Sequence, residues 1–255
     1  MTLATYHLPL VLIALFAGVG ITALGPGGVF VTVALFLLAP LSAAEVAGTA
    51  SASFVFSGLL GVVAYWRSGE YSRQRVPEMT FLVSFAGLLG ALLGSRINLY
   101  FPEIVFSAGL ALFLFCLGVI ILFQQLCGKL ETYNFNPPAG QFRLTLFMLG
   151  LFVGVIGGLL GVGGPIIAVP LLVLLRVPLL IALAVAQVQS VFIAFFAAAG
   201  YFQAGAVVWP LVVLVTPPLL VGALLGWWLA HYLDSRPLRL TLGVVLLLVA
   251  PSVLL

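Results

Sequence analysis

Charge is scarce in this sequence: 6% of its 255 residues are Asp, Glu, Lys or Arg, against 64% that are hydrophobic. A soluble domain carries about 25% charged residues, so this chain cannot cover a water-facing surface. That excludes a cytosolic enzyme, a nucleic-acid binder and a disordered protein. Cysteine is nearly absent too. Cys116, in an apolar run, and Cys127, in a polar gap, match neither a disulfide framework nor a metal site and read as packing residues. Apolar and polar residues do not alternate with period two, which argues against a membrane β-barrel. The first apolar stretch lacks a basic n-region and continues past Gly28, so it is expected to belong to the fold and not to a cleaved leader.

What the sequence has instead is apolar runs of roughly 20 residues, following one another from Pro9 to Leu255 with short polar gaps. The expected fold class is an all-α integral membrane protein, multi-pass in the cell membrane. An internal repeat organises it. Shifting the chain by 136 positions aligns Leu15–Gly69 with Leu151–Gly205 without a gap, and 16 of those 55 positions are identical. Gly18/Gly154, Gly25/Gly161, Phe56/Phe192, Tyr65/Tyr201 and Gly69/Gly205 are among the matches. Further on, GALLG recurs at Gly90–Gly94 and Gly222–Gly226 at an offset of 132. The expected units are a first repeat over 1–126, a cytoplasmic linker over 127–142, and a second repeat over 143–255.

Each repeat opens with about 30 apolar residues broken by glycine and proline: Gly25-Pro26-Gly27-Gly28 in the first, and Gly157-Gly158 with Gly161-Val162-Gly163-Gly164-Pro165 in the second. A continuous helix of that length would run about 45 Å against a hydrocarbon core of about 30 Å, and such clusters do not sustain helix. The pattern predicts two half-length helices meeting at a turn inside the membrane, a re-entrant-like hairpin. Three full spans follow in each repeat, over 43–66, 78–96 and 104–126, then 178–202, 207–230 and 238–255. If each hairpin returns to the side it entered from, Arg67, Arg73, Arg75, Lys129, Arg143, Arg176, Arg236 and Arg239 share one side and only Arg96 lies on the other. Cytoplasmic loops favour Lys and Arg, so this split places both termini outside. It also gives each repeat three net crossings, which inverts the second relative to the first, an architecture used by transporters.

Around Gly25–Gly28 and its counterpart GLLGVGGPIIAVPLL, Gly158–Leu172, the sequence resembles the TauE/SafE family of sulfite and organosulfonate exporters. The second copy of the glycine, apolar, proline, leucine pattern matches closely. The first departs from it, with Pro26 inside the cluster and Ala34 where the second copy has Pro170. Gly48-Thr49-Ala50-Ser51 also looks like the family's small-polar stretch, whereas Ala184-Val185-Ala186-Gln187 departs from it. The resemblance covers nearly the whole chain and implies export of a sulfur oxyanion or sulfonate such as sulfoacetate.

Irregular backbone at membrane depth is tolerated where it is buried in protein or lines a wet cavity. The N-termini of helices starting near Val29 and Pro165 would aim N–H groups inward, which suits an oxyanion. Close helix packing through small residues is the other reading of the glycines. The expected substrate-binding set is Gly25, Gly27, Gly28, Ser51, Ser53, Gly161, Gly163, Gly164, Gln187 and Gln189. At offset 136 Ser51 pairs with Gln187 and Ser53 with Gln189, so the repeat brings polar positions into register. Amides and hydroxyls can serve sulfonate oxygens without burying a charge, although serines also bond back to their own helix. The two glutamines, two residues apart, cannot face one point on a straight helix.

Ser42-Ala43-Ala44-Glu45 fits a capping box, which gives Glu45 a structural role in place of proton coupling. No other acid falls in the predicted membrane interior, and no carboxylate cluster or His–Cys arrangement suggests a metal or cation substrate. Arg96 reads as a helix-end anchor, with attraction of an anion at the outer mouth as its alternative. Pro217-Pro218 is expected to kink its helix. Expected partners are a small anion and the lipid bilayer, with no cofactor and no nucleic acid. Transport without enzymatic activity is the preferred function, and a membrane enzyme or assembly factor on the same fold is the alternative.

Overall fold

The computed structural model describes residues 4–73, 75–126, 139–232 and 235–254, and the regular elements among them are all helical. The first repeat holds α1 (Ala4–Ala23), a 3-10 turn at Pro26–Gly28, α2 (Val29–Leu38), α3 (Ala43–Arg67), α4 (Val76–Asn98) and α5 (Glu103–Leu126). The second holds α6 (Ala139–Leu160), α7 (Pro165–Leu174), α8 (Leu179–Gln203), α9 (Trp209–Tyr232) and α10 (Ser235–Val249). Linker residues 127–138 lie outside the described residues, and α6 begins within the segment read as linker.

Both apolar stretches break at the expected clusters, at Gly25–Gly28 and Gly161–Gly164, but Gly157 and Gly158 stay inside α6 and are not part of the second break. The arms, however, are unequal and not half-length: α1 has 20 residues and α6 has 22, while α2 and α7 have 10 each. The glycines of α1 and α6 do not interrupt helix, because they are where those helices press against partners. Among the described residues six helices are long and apolar enough to cross a membrane, α3, α4, α5, α6, α8 and α9. The expected six included the last helix in place of α6. Helix α10 is only 15 residues long, since Pro251 sits in a 3-10 turn, Ala250–Val253, that ends it. Helix α9 runs continuously through Pro217 and Pro218. Ser42 and Glu45 form the capping box at the start of α3, with the Ser42 N–H donating to Glu45 Oε2 at 2.8 Å.

Polarity is distributed as a lipid solvent demands. Phe16, Phe81, Leu112 and Leu248 stand exposed, whereas Thr32, Thr49, Ser51, Gln187 and Gln189 are buried. Glycine faces set the packing. The Leu15 and Val19 carbonyls of α1 lie where Gly222 and Gly226 of α9 would carry side chains, so the two backbones touch in parallel. The Leu151 and Val155 carbonyls of α6 stand in the same relation to Gly90 and Gly94 of α4. The repeat offsets of 136 and 132 convert one set of contacts into the other.

Helices that correspond between the repeats also pack on each other. Gly48 of α3 meets Tyr201 of α8 while Gly61 meets Gln187, so these two run antiparallel. Gly118 of α5 meets Leu247 of α10 while Gly243 meets Leu122, again antiparallel.

Candidate functional site

A broken helix leaves carbonyls without partners at its C-terminal end, and in a membrane the protein itself must supply donors. At the end of α1, the Gly20 carbonyl accepts from the Leu24 and Gly25 N–H groups at 3.1 and 2.9 Å. The Ile21 carbonyl accepts from Gln187 Nε2 at 3.3 Å, and the Thr22 carbonyl from the Tyr65 hydroxyl at 2.7 Å. At the end of α6, Gly158 accepts from the Tyr201 hydroxyl at 2.7 Å, Leu159 from Asn98 Nδ2 at 2.7 Å, and Gly161 from Thr32 Oγ1 at 2.6 Å. Tyr65 with Thr22 and Tyr201 with Gly158 are the same bond in the two repeats. Conjugate positions therefore do conjugate work.

The two breaks meet. A side chain on Gly28 would lie 3.1 Å from the Val162 carbonyl oxygen and 3.3 Å from the Phe54 ring, and one on Gly163 would lie 3.4 Å from the same ring. Phe54 is 2% exposed and fills the space between the breaks. Gly25, at φ 101°, turns the chain out of α1 and packs on Val169 and the Pro165 carbonyl. Gly161, at φ 62°, packs on the Ala47 backbone of α3. Gly27 is pressed against Gly20 and Ile21 of α1, and Gly164 against the Ser190 backbone. Gly27 thus answers to the packing reading. The N–H groups of Val162, Gly163 and Gly164 make no hydrogen bond among the described residues.

Ser51 is buried, and Ser53 Oγ donates to the Thr49 carbonyl of its own helix at 3.0 Å. Gln187 and Gln189 point to different sides of α8, as their spacing requires. Gln187 reaches α1 and lies over Gly61, whereas Gln189 Nε2 donates to the Val83 carbonyl of α4 at 3.2 Å. Each amide has its nitrogen against a carbonyl, which fixes its orientation and leaves Oε1 buried without a partner among the described residues. What the glutamines offer in this conformation is therefore acceptor capacity together with one further N–H each.

The sequence reading missed Phe54, Asn98 and Thr32. Asn98 could have been found as a polar amide near the end of an apolar run, but no local pattern marks Phe54. It also missed a buried acid: Glu70 in the α3–α4 loop is 5% exposed, with Oε1 3.5 Å from His231 Nε2. Beside it, burial and the Glu70 carboxylate push the Tyr71 hydroxyl above its ordinary pKa, keeping it a donor to the Ala184 carbonyl at 2.7 Å. Arg96 is exposed at the end of α4.

A family model described as sulfite exporter TauE/SafE matches residues 10–253. The probable membrane transporter protein YdhB of Bacillus subtilis (strain 168) is 24% identical over 219 residues, covering 85% of this chain and 87% of the relative. The probable membrane transporter protein YunE of the same organism is 24% identical over 271 residues, covering 94% of each. No solved structure matches the chain at a significant level.

Proposed function

Because the chain belongs to the TauE/SafE family of membrane transporters, we propose that it exports a small sulfur-containing anion, sulfite or an organosulfonate such as sulfoacetate, without enzymatic activity. The observation that carries this reading is the meeting of the two breaks. The N–H groups of Val162, Gly163 and Gly164, unpartnered among the described residues, lie in the turn that leads into the N-terminal end of α7, where helix and backbone dipoles favour negative charge, and the Val162 carbonyl of that turn lies against Gly28. The substrate site is the space between the breaks, with Gly28, Gly163 and Gly164 as its backbone wall. Gln187, Gln189 and Ser51 line the approach. Phe54 occupies the space when no substrate is there and has to yield for one to bind.

The two repeats, 1–126 and 143–255, form an inverted pair that rocks around this site, exposing it to each side in turn. Three observations support the inversion. The α3/α8 and α5/α10 pairs are antiparallel, Tyr65 and Thr22 bring the ends of α3 and α1 together as a returning hairpin requires, and Arg143 Nε lies 2.7 Å from Glu78 Oε1. That last ion pair brings the starts of α4 and α6 to one membrane face, the one we assign to the cytoplasm with the 127–142 linker.

The test is uptake by proteoliposomes of sulfite, sulfoacetate, sulfolactate, taurine and thiosulfate. Saturable, protein-dependent flux of at least one sulfur anion is expected. Flux of none of them, from protein that remains folded, removes the substrate assignment.

A further inference from the structure

Arg239 enters the sequence reading as a mark of topology, but its side chain is turned into the protein. It stands near the start of α10 and lines a cleft with Gln124 of α5, Leu24 and Pro26 at the first break, and Val169 and Pro170 of α7. Its Nε and Nη2 are buried and have no hydrogen-bond partner among the described residues. In the same cleft the Pro170 carbonyl accepts from Gln124 Nε2 at 3.0 Å. A guanidinium carries donors only, and burying it without an acceptor is costly, so the position calls for an anion. Its planar fork matches two oxygens of a sulfite or sulfonate group. The cleft touches both broken elements, at Leu24 and Pro26 of the first and at Val169 and Pro170 of α7 in the second.

We propose that Arg239, with Gln124 beside it, forms an entry subsite that captures an oxyanion from the cytoplasmic face and passes it to the breaks. This rests on the transport reading given above. The cleft as it stands has room for little more than a water molecule, so the oxyanion is admitted as α5 and α10 move apart from α7.

The test uses full-length protein purified in detergent, with thermal stabilisation by sulfite and by sulfoacetate giving the affinity. In R239Q the affinity is expected to fall about ten- to a hundred-fold, the loss of one or two charge-assisted hydrogen bonds. R239K keeps the charge but loses the fork, and is expected in between. Without anion R239Q should unfold at no lower temperature than the wild type, because it removes a guanidinium with two buried nitrogens that lack acceptors among the described residues. A purely structural arginine would show the opposite.

Unchanged affinity in R239Q overturns the proposal, and if that variant does not fold, unchanged affinity in R239K does so. Stabilisation of the wild type by phosphatidylglycerol but by neither soluble anion identifies a lipid headgroup site and also overturns it. Transport of sulfite on the same preparations separates the two readings. Arg239-dependent binding with no flux leaves this subsite standing and removes export, whereas flux with wild-type KM and wild-type affinity in R239Q removes the subsite and leaves export standing.

Discussion

Gly161 is the position where the geometry of the second break makes its sharpest demand. It sits at φ 62°, and a Cβ there would lie 2.6 Å from the Ala47 carbonyl oxygen and 2.9 Å from its carbonyl carbon. Those atoms belong to the α3 backbone and cannot rotate aside. Two separate costs therefore add in Gly161→Ala. The left-handed conformation costs an L-residue about 1–2 kcal/mol, and overpacking a filled interior typically costs about 1–3 kcal/mol more. The protein contains its own controls. Gly69 and Gly205 are repeat partners at φ 85° and 71°, and neither has anything within 4 Å of an added Cβ. Gly69→Ala and Gly205→Ala thus report the conformational cost alone and are expected to match each other. Gly161→Ala should exceed them by at least ~1 kcal/mol and should lose transport, because the second break can no longer lie against α3. Unfolding in mixed micelles titrated with sodium dodecyl sulfate, followed by helical circular dichroism, measures all three. If Gly161→Ala falls within ~0.5 kcal/mol of the controls, an amount at which distinct sites become indistinguishable, the close approach to Ala47 is wrong.

Tyr65→Phe and Tyr201→Phe each remove the same hydroxyl from a helix-end carbonyl, so each should cost about 0.6–1.7 kcal/mol in the same titration, and clearly unequal losses would break the equivalence of the two hairpins. Glu45→Gln preserves the capping arrangement and should retain substantial transport; flux abolished in folded Glu45→Gln would return this acid to a proton-coupling role. An anion leaving a negative interior gains about 2.3 kcal/mol per charge per 100 mV, so a potassium–valinomycin potential without a pH gradient should drive flux, and flux that requires the pH gradient instead contradicts potential-driven export. Cysteine introduced at Gly140, exposed in the first turn of α6, should be labelled from the cytoplasmic side only, and labelling from outside would reverse the assigned topology.

Local rules made much of this architecture legible in the sequence. Hydropathy identified a membrane protein because lipid and core both select apolar residues. Glycine and proline clusters located both breaks because their backbone effects act within one turn. Ser42 and Glu45 announced a helix start because a capping box closes over three residues, and the offset of 136 placed Tyr65 opposite Tyr201 before either had a visible partner. The rest needed the tertiary structure. Pattern could not tell that α1 and α6 would be long arms, because their length follows from docking on α9 and α4 through glycine faces. It could not tell which carbonyls Gln187 and Gln189 would meet, since Ile21 and Val83 lie 166 and 106 positions away. Nor could it distinguish Phe54, which fills the space between the breaks, from a phenylalanine facing lipid, or an arginine turned inward at 239 from one anchoring a helix end. When solvent and interior are equally apolar, hydrophobic periodicity no longer says which way a side chain points. That direction is decided by which neighbouring helix comes close enough to touch.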